Sequence, residues 1–138
     1  MALGSVTIGG GYGSTGCTVS AAGVLQCDGA GTFGGAVVDG KLNLDDVTYT
    51  SVGAQNLTPT DSMYELNPAS VLTITLQTGS AAKGDILVLI NIAAVNVTIV
   101  DTNVKTSDGG LVTLGQDDAI MFIFMGSHWY EVAHSPNS

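Results

Sequence analysis

From Asp46 to the C-terminus the chain is a train of short apolar and β-branched runs separated by turn residues, a pattern that excludes long helices and leaves sheet as the way to build a core. The run "SVLTITLQT" (70–78) alternates Leu72, Ile74 and Leu76 with Thr73, Thr75 and Gln77, the period of two of a half-buried strand. "DILVLINI" and "DAIMFIFM" are continuous apolar runs, which predicts strands buried on both faces. Further strands are expected over 46–50, 62–66, 96–100, 110–114 and 128–134. The turn signals between them are Asn67-Pro68, "TGSAAKGD", "DTNVKTSDGG", "LGQDD" and "MGSH". Spacing of this kind predicts an all-β sandwich or jelly-roll-like head over residues 46–138.

Composition narrows the partners. Charged residues make up 11% of the 138-residue chain, against about 25% in ordinary soluble domains, so neutral Thr, Ser, Asn and Gln are left to coat the surface. Twelve acids face three lysines and no arginine, for a net charge of −9. Such a chain repels phosphate backbones and anionic bilayers, which argues against nucleic-acid and membrane partners. The most apolar stretch, 86–100, is broken by Asn91 and Asn96 and is shorter than the roughly 20 residues of a membrane-spanning helix. The N-terminus carries no secretory signal pattern.

The N-terminal third reads differently. "VTIGGGYGSTGCTV" contains Gly11, Gly13 and Gly16 in GxGxxG spacing, but no helix pattern follows to hold a pyrophosphate. Residues 1–16 are expected to be a pliable arm, with Val6, Thr7, Ile8 and Tyr12 as candidate anchoring residues able to add a strand to a neighbour's sheet edge. Cys17 and Cys27 flank "TVSAAGVLQ"; a hairpin turning at Ala21-Ala22-Gly23 sets Val19 opposite Leu25 and Cys17 opposite Cys27, making the cysteines a candidate disulfide. Residues 17–45, with their glycine-separated apolar pieces, cannot close a core alone and are expected to form a stem interwoven with copies of itself. Phe33, Val37, Leu42 and Leu44 are its candidate contacts.

The run "GAGTFGGAVVDGKLNLDD" resembles the glycine-punctuated shafts of tailed-phage fibre and head-decoration proteins. The remainder looks like the small β-sandwich heads that close such proteins: an alternating strand, a turn ending Gly-Asp, an apolar strand ending in Asn, an apolar-Thr-Ile strand and a final "GSHWYEV". The resemblance implies a homotrimer. Because a tail fibre is usually much longer and carries an N-terminal tail adaptor, the chain is expected to be a capsid decoration or cement protein on the virion surface, with the major capsid protein as its partner. The alternative is the receptor-binding tip of a tail fibre or spike that recognises a host glycan.

No catalytic, cofactor or metal constellation is predicted. His128 and His134 share a side only if their strand stays regular. Asp101 and Asn103 begin like a calcium loop, but Lys105 and Val112 break the pattern. Asp45-Asp46 and Asp117-Asp118 are adjacent pairs better suited to turn capping than to acid/base work. Trp129 and Tyr130 offer a sugar-stacking platform, although Trp129 is more readily placed in the core beside Phe122 and Phe124.

Overall fold

The computed structural model describes the strand backbones of residues 6–9, 16–19 and 25–27, residue 44, and residues 46–137. The chain divides into two compact units, Met1–Leu42 and Asn43–Ser138. In the first, β1 (Val6–Gly9), β2 (Gly16–Val19) and β3 (Leu25–Cys27) form an antiparallel sheet in that order. Val19 pairs with Leu25 and Cys17 with Cys27, the register a bridge between the cysteines would need. Their side chains, like those of Val6, Thr7 and Ile8, lie outside those described, as do Tyr12, Phe33, Val37 and Leu42 altogether. The backbone of Val6–Gly9 pairs with Gly16–Val19, so the segment read as an arm shares a sheet with the start of the segment read as stem.

The second unit is a two-layer sandwich. One sheet has the order β10-β13-β12-β8-β6-β4 and the other β11-β9-β7-β5. The six-stranded sheet holds β4 (Asp46–Tyr49), β6 (Met63–Leu66), β8 (Ile86–Asn91), β10 (Val104–Lys105), β12 (Ala119–Phe124) and β13 (Trp129–Ser135). The four-stranded sheet holds β5 (Gly53–Leu57), β7 (Leu72–Leu76), β9 (Val97–Ile99) and β11 (Val112–Leu114). From β4 to β9 the chain passes from one layer to the other at every strand. Same-layer neighbours are therefore parallel, as in β4·β6, β6·β8, β5·β7 and β7·β9. A parallel pair needs a long crossover, and here each crossover is a strand of the opposite sheet. This coil, closed by the antiparallel strands β12 and β13, replaces the antiparallel winding of a jelly roll.

The core follows from alternation. Leu72, Ile74 and Leu76 of β7, with Val97 and Ile99 of β9, face Leu87 and Leu89 of β8 and Ile120, Phe122 and Phe124 of β12, all buried. Trp129 is 2% exposed, its ring 5.1 Å from that of Phe124, and its Nε1 donates to the Gln77 carbonyl at 3.1 Å. It is a core residue tied across the layers. On the outer side of the four-stranded sheet, Thr113, Thr98 and Thr73 stand in one row across three strands, the neutral polar coat that a charge-poor chain requires.

Two expectations are corrected. Strands β8 and β12 are buried on one face only, with burial alternating along each, because a sandwich of two layers leaves each sheet an outer side. The regularity on which a shared side for the histidines depends is absent: a register shift within the β12·β13 ladder sets Tyr130 opposite Ile123 but His134 opposite Ile120. A bulge re-aims everything beyond it by one position. Two strands, β5 and β10, have no counterpart among the expected ones. Gly53–Leu57 is polar apart from Leu57, and Val104–Lys105 is too short to show a period.

The polar group that organises this interior is Asn91, fully buried at the end of β8. Its Nδ2 donates to the carbonyls of Val95, Leu114 and Gly115 at 2.9, 3.0 and 2.9 Å, and its Oδ1 accepts the Ala93 amide at 3.1 Å. Leu114 ends β11, so one carboxamide joins the two sheets. The adjoining turn is closed by Asp118, which is 6% exposed and accepts the Gly115 amide at 2.7 Å. A Cβ added at Gly115 would lie 3.3 Å from that carboxylate, which favours glycine there. Asp118 also accepts the amide of Asn137, fastening the C-terminal segment. Replacing Asn91 by Leu leaves buried carbonyls unpaired, and a destabilisation of about 3 kcal/mol is expected from chemical denaturation, with an unchanged denaturant slope.

Candidate functional site

At one end of the sandwich the loop joining β5 to β6 and the loop joining β7 to β8 enclose a cleft of about 400 Å³. Pro59, Thr60, Asp61 and Ser62 form one wall, and Ser80, Ala81 and Asp85 the other, with Ile86 and the edge of Trp129 completing the lining. Three hydroxyl-bearing or carboxylate side chains stand on the first wall and two on the second. Among the lining residues there is no cation.

The first wall is held by a buried phenol. Tyr64, 3% exposed on β6, takes the Thr60 amide at 2.9 Å on its hydroxyl, and that hydroxyl lies 3.1 Å from Thr60 Oγ1. Thr60 Oγ1 donates to Asp61 Oδ2 at 2.7 Å, so the Tyr64 hydroxyl supplies the proton of the other contact. A chain of hydrogen bonds thus runs from the core to the Asp61 carboxylate. The second wall begins at Gly84, whose φ of +100° suits glycine and whose amide donates to the Phe124 carbonyl at 2.8 Å. Asp85 folds back to accept the Ala82 amide at 2.8 Å, and its own amide donates to the Ala82 carbonyl at 3.0 Å. Ser80 Oγ donates to the Pro59 carbonyl at 2.9 Å and joins the walls. The cleft is therefore pre-formed by local bonds to a rigid sheet.

Chemically, such a surface offers hydrogen-bond acceptors and hydroxyls in a concave polar setting, suited to a polyhydroxylated ligand that is neutral or carries an amine. Trp129, one half of the stacking platform read from the sequence, lines the cleft from its buried position; no other candidate residue among those described does. Leu44 is half-buried and Val6, Thr7 and Ile8 belong to the first unit. Tyr130, one half of the expected stacking platform, is 41% exposed but lies on the outer sheet face, with His128 edge-on to its ring at 6.5 Å. Of the two cleft loops, "TGSAAKGD" is among the turn signals read from the sequence, whereas residues 58–62 are not, although Pro59 and Asp61 are turn residues; the convergence of the loops depends on β6 and β8 being parallel neighbours, which no local pattern discloses. Among the described residues no cluster of three His, Cys, Asp or Glu side chains is placed to hold a metal ion, and no helix is long and apolar enough to cross a membrane.

Tyr64→Phe removes the phenolic link while preserving the ring. The expected outcome is a loss of about 1 kcal/mol in global stability, with faster amide exchange of Thr60 and Asp61 and unchanged exchange in β8 and β12, measured by hydrogen–deuterium exchange.

The outer face of the six-stranded sheet is the second unusual surface. Ile86, Tyr130 and Val132 are 47%, 41% and 55% exposed, and Val88, Ile90, Met121 and Ile123 are half-buried with nothing described above them.

Comparison with known proteins places this unit. No curated protein sequence matches the chain. Residues 45–130 match the phage depolymerase C-terminal beta sandwich domain, and the region covers the entire ten-stranded sandwich except the last residues of β13. The all-β architecture, the two packed sheets and this match agree: the chain belongs to the phage depolymerase C-terminal β-sandwich family, and is a phage structural protein of the tail-fibre and depolymerase type.

Proposed function

We propose that the chain is the receptor-binding tip of a phage tail fibre or spike, and that the cleft between the β5–β6 and β7–β8 loops holds a host surface glycan. The observation that carries the reading is this pre-formed polar cleft at one end of a domain of the depolymerase C-terminal family. Capsid decoration, the expectation drawn from the short chain, receives no support from the family match, whereas the fibre-tip alternative does. The proposed tip works as a homotrimer. Three copies of a weak site on one body raise avidity, because the second and third engagements occur at high local concentration. A charge-poor surface and a glycine-rich N-terminal third are compatible with that assembly.

Binding, rather than cleavage, is the proposed activity. Asp61 and Asp85 are both solvent-exposed, and each has one oxygen engaged by its own loop. That arrangement suits fixed acceptors for sugar hydroxyls or an ammonium group. Uronic and sialic acids would meet two carboxylates and no cation among the lining residues, so neutral and amino sugars are the favoured ligands.

Filling the cleft tests the proposal. Ser80 is exposed, and Ser80→Trp is expected to leave the melting temperature within a few degrees while lowering binding to host cells and to neutral or amino-sugar glycans on an array by about tenfold or more. Unchanged cell and glycan binding by a folded Ser80→Trp protein would rule the cleft out. If the wild type binds no cells or glycans but protects empty capsids from heat, the decoration reading prevails.

A further inference from the structure

We infer that the outer face of the six-stranded sheet packs against a second copy of this chain, head to tail. The inference deepens the self-association proposed above by naming the surface, and it rests on how side chains are distributed over that face. In-register pairing fixes their rows. The first runs Lys105, Tyr130, Ile123, Ile86 across β10, β13, β12 and β8. In the second, Ala133, Met121, Val88, Met63 and Asp46 run from β13 to β4. The third is Ser135, Ala119, Ile90, Glu65 and Thr48.

The centre of this array carries no charge. Across four strands, spaced about 4.8 Å apart, it presents isoleucine, valine, methionine and tyrosine, with a shallow depression of about 170 Å³ between Val88, Met121 and Ala133 that His134 and Ser135 border. An apolar band of this extent, uncovered among the described residues, on a chain of net charge −9 marks a contact surface. Neither nucleic acid nor an anionic bilayer fits so acidic a molecule.

The margins point to the occupant. One margin bears Lys105, exposed on the edge strand β10, and the opposite margin bears Asp46 and Glu65. The side chains of Lys105 and Glu65 make no hydrogen bond or ion pair among the described residues. The face is thus complementary to another copy of itself displaced sideways, lysine margin to acid margin with apolar residues between. Such a contact uses two different patches on each copy, and rotation of the same step closes it into a ring. An outside partner would have to supply both signs of charge in this arrangement; a second copy supplies them by construction.

Sedimentation velocity of the full chain tests this. The wild type is expected to be oligomeric at micromolar concentration, and Ile123→Glu to dissociate it while circular dichroism still reports sheet. Because a central substitution also strains the fold, the margins give an independent measure. Lys105→Glu and Glu65→Lys should each weaken association by about tenfold, and the double exchange should restore much of it. A monomeric wild type overturns both the face and the self-association, including the case in which residues 1–42 of the same chain cover the band. An oligomer indifferent to Ile123→Glu and to both margin substitutions overturns the face alone and leaves the trimeric tip standing on other contacts.

Discussion

A single buried carboxamide sets the terms for the sandwich. Apolar packing between two sheets is non-directional and tolerates sliding, whereas the Asn91 side chain accepts one geometry only. Its donors meet the carbonyls that end β11 and begin the following turn, and its acceptor takes an amide from the loop it precedes. The cost of burying an amide is offset only when those partners are all in place, so the residue selects one alignment of the layers. Asp118, Trp129 and Asn103 add further side-chain bonds to backbone groups: Trp129 reaches the Gln77 carbonyl just past β7 from the other layer, and Asn103, in the turn between β9 and β10, donates to the Leu76 carbonyl that ends β7.

That alignment is what makes the loop end a usable surface. The walls of the cleft begin on β6 and β8, parallel neighbours in one sheet, and Tyr64 and Gly84 transmit the position of the sheet to Asp61 and Asp85 through a few short bonds. A ligand entering such a site meets groups already in place and need not order them, so little of its interaction energy is lost to loop entropy. The opposite arrangement holds on the outer face of the six-stranded sheet, where Ile123, Met121 and Val88 have no fixed partner among the described residues.

Much of the fold could be read from residue order. The alternation in "LTITL" and the turn at Asn67-Pro68 located β7 and its entry, and the pattern of a Gly-Asp turn, an apolar strand ending in Asn and a late Trp fell on Gly84-Asp85, Asn91 and Trp129. Each of these proves to be a framework position: a left-handed glycine with its capping acid, the inter-sheet carboxamide, and a buried indole. What stayed hidden depends on distance along the chain. Parallel pairing of β4, β6 and β8 has no local signature, so neither the coiled path nor the meeting of residues 59–62 with 80–86 could be seen. The double-sided burial inferred for "ILVLIN" failed because an apolar outer face reads the same whether a second layer or another molecule covers it. The bulge in β13 likewise leaves no mark in "WYEVAHS".

The alternation of strands between layers has a bearing on how such a domain changes over time. Each successive pair, one strand per sheet, is a self-contained turn that presents to the next turn the same inner and outer rows it received. Duplication or deletion of one turn in the coiled portion would lengthen or shorten the stack while leaving every remaining side chain on its original face. Descent with variation in length is therefore built into the coil and barred from the antiparallel closure at β12 and β13, where the chain's end is fastened.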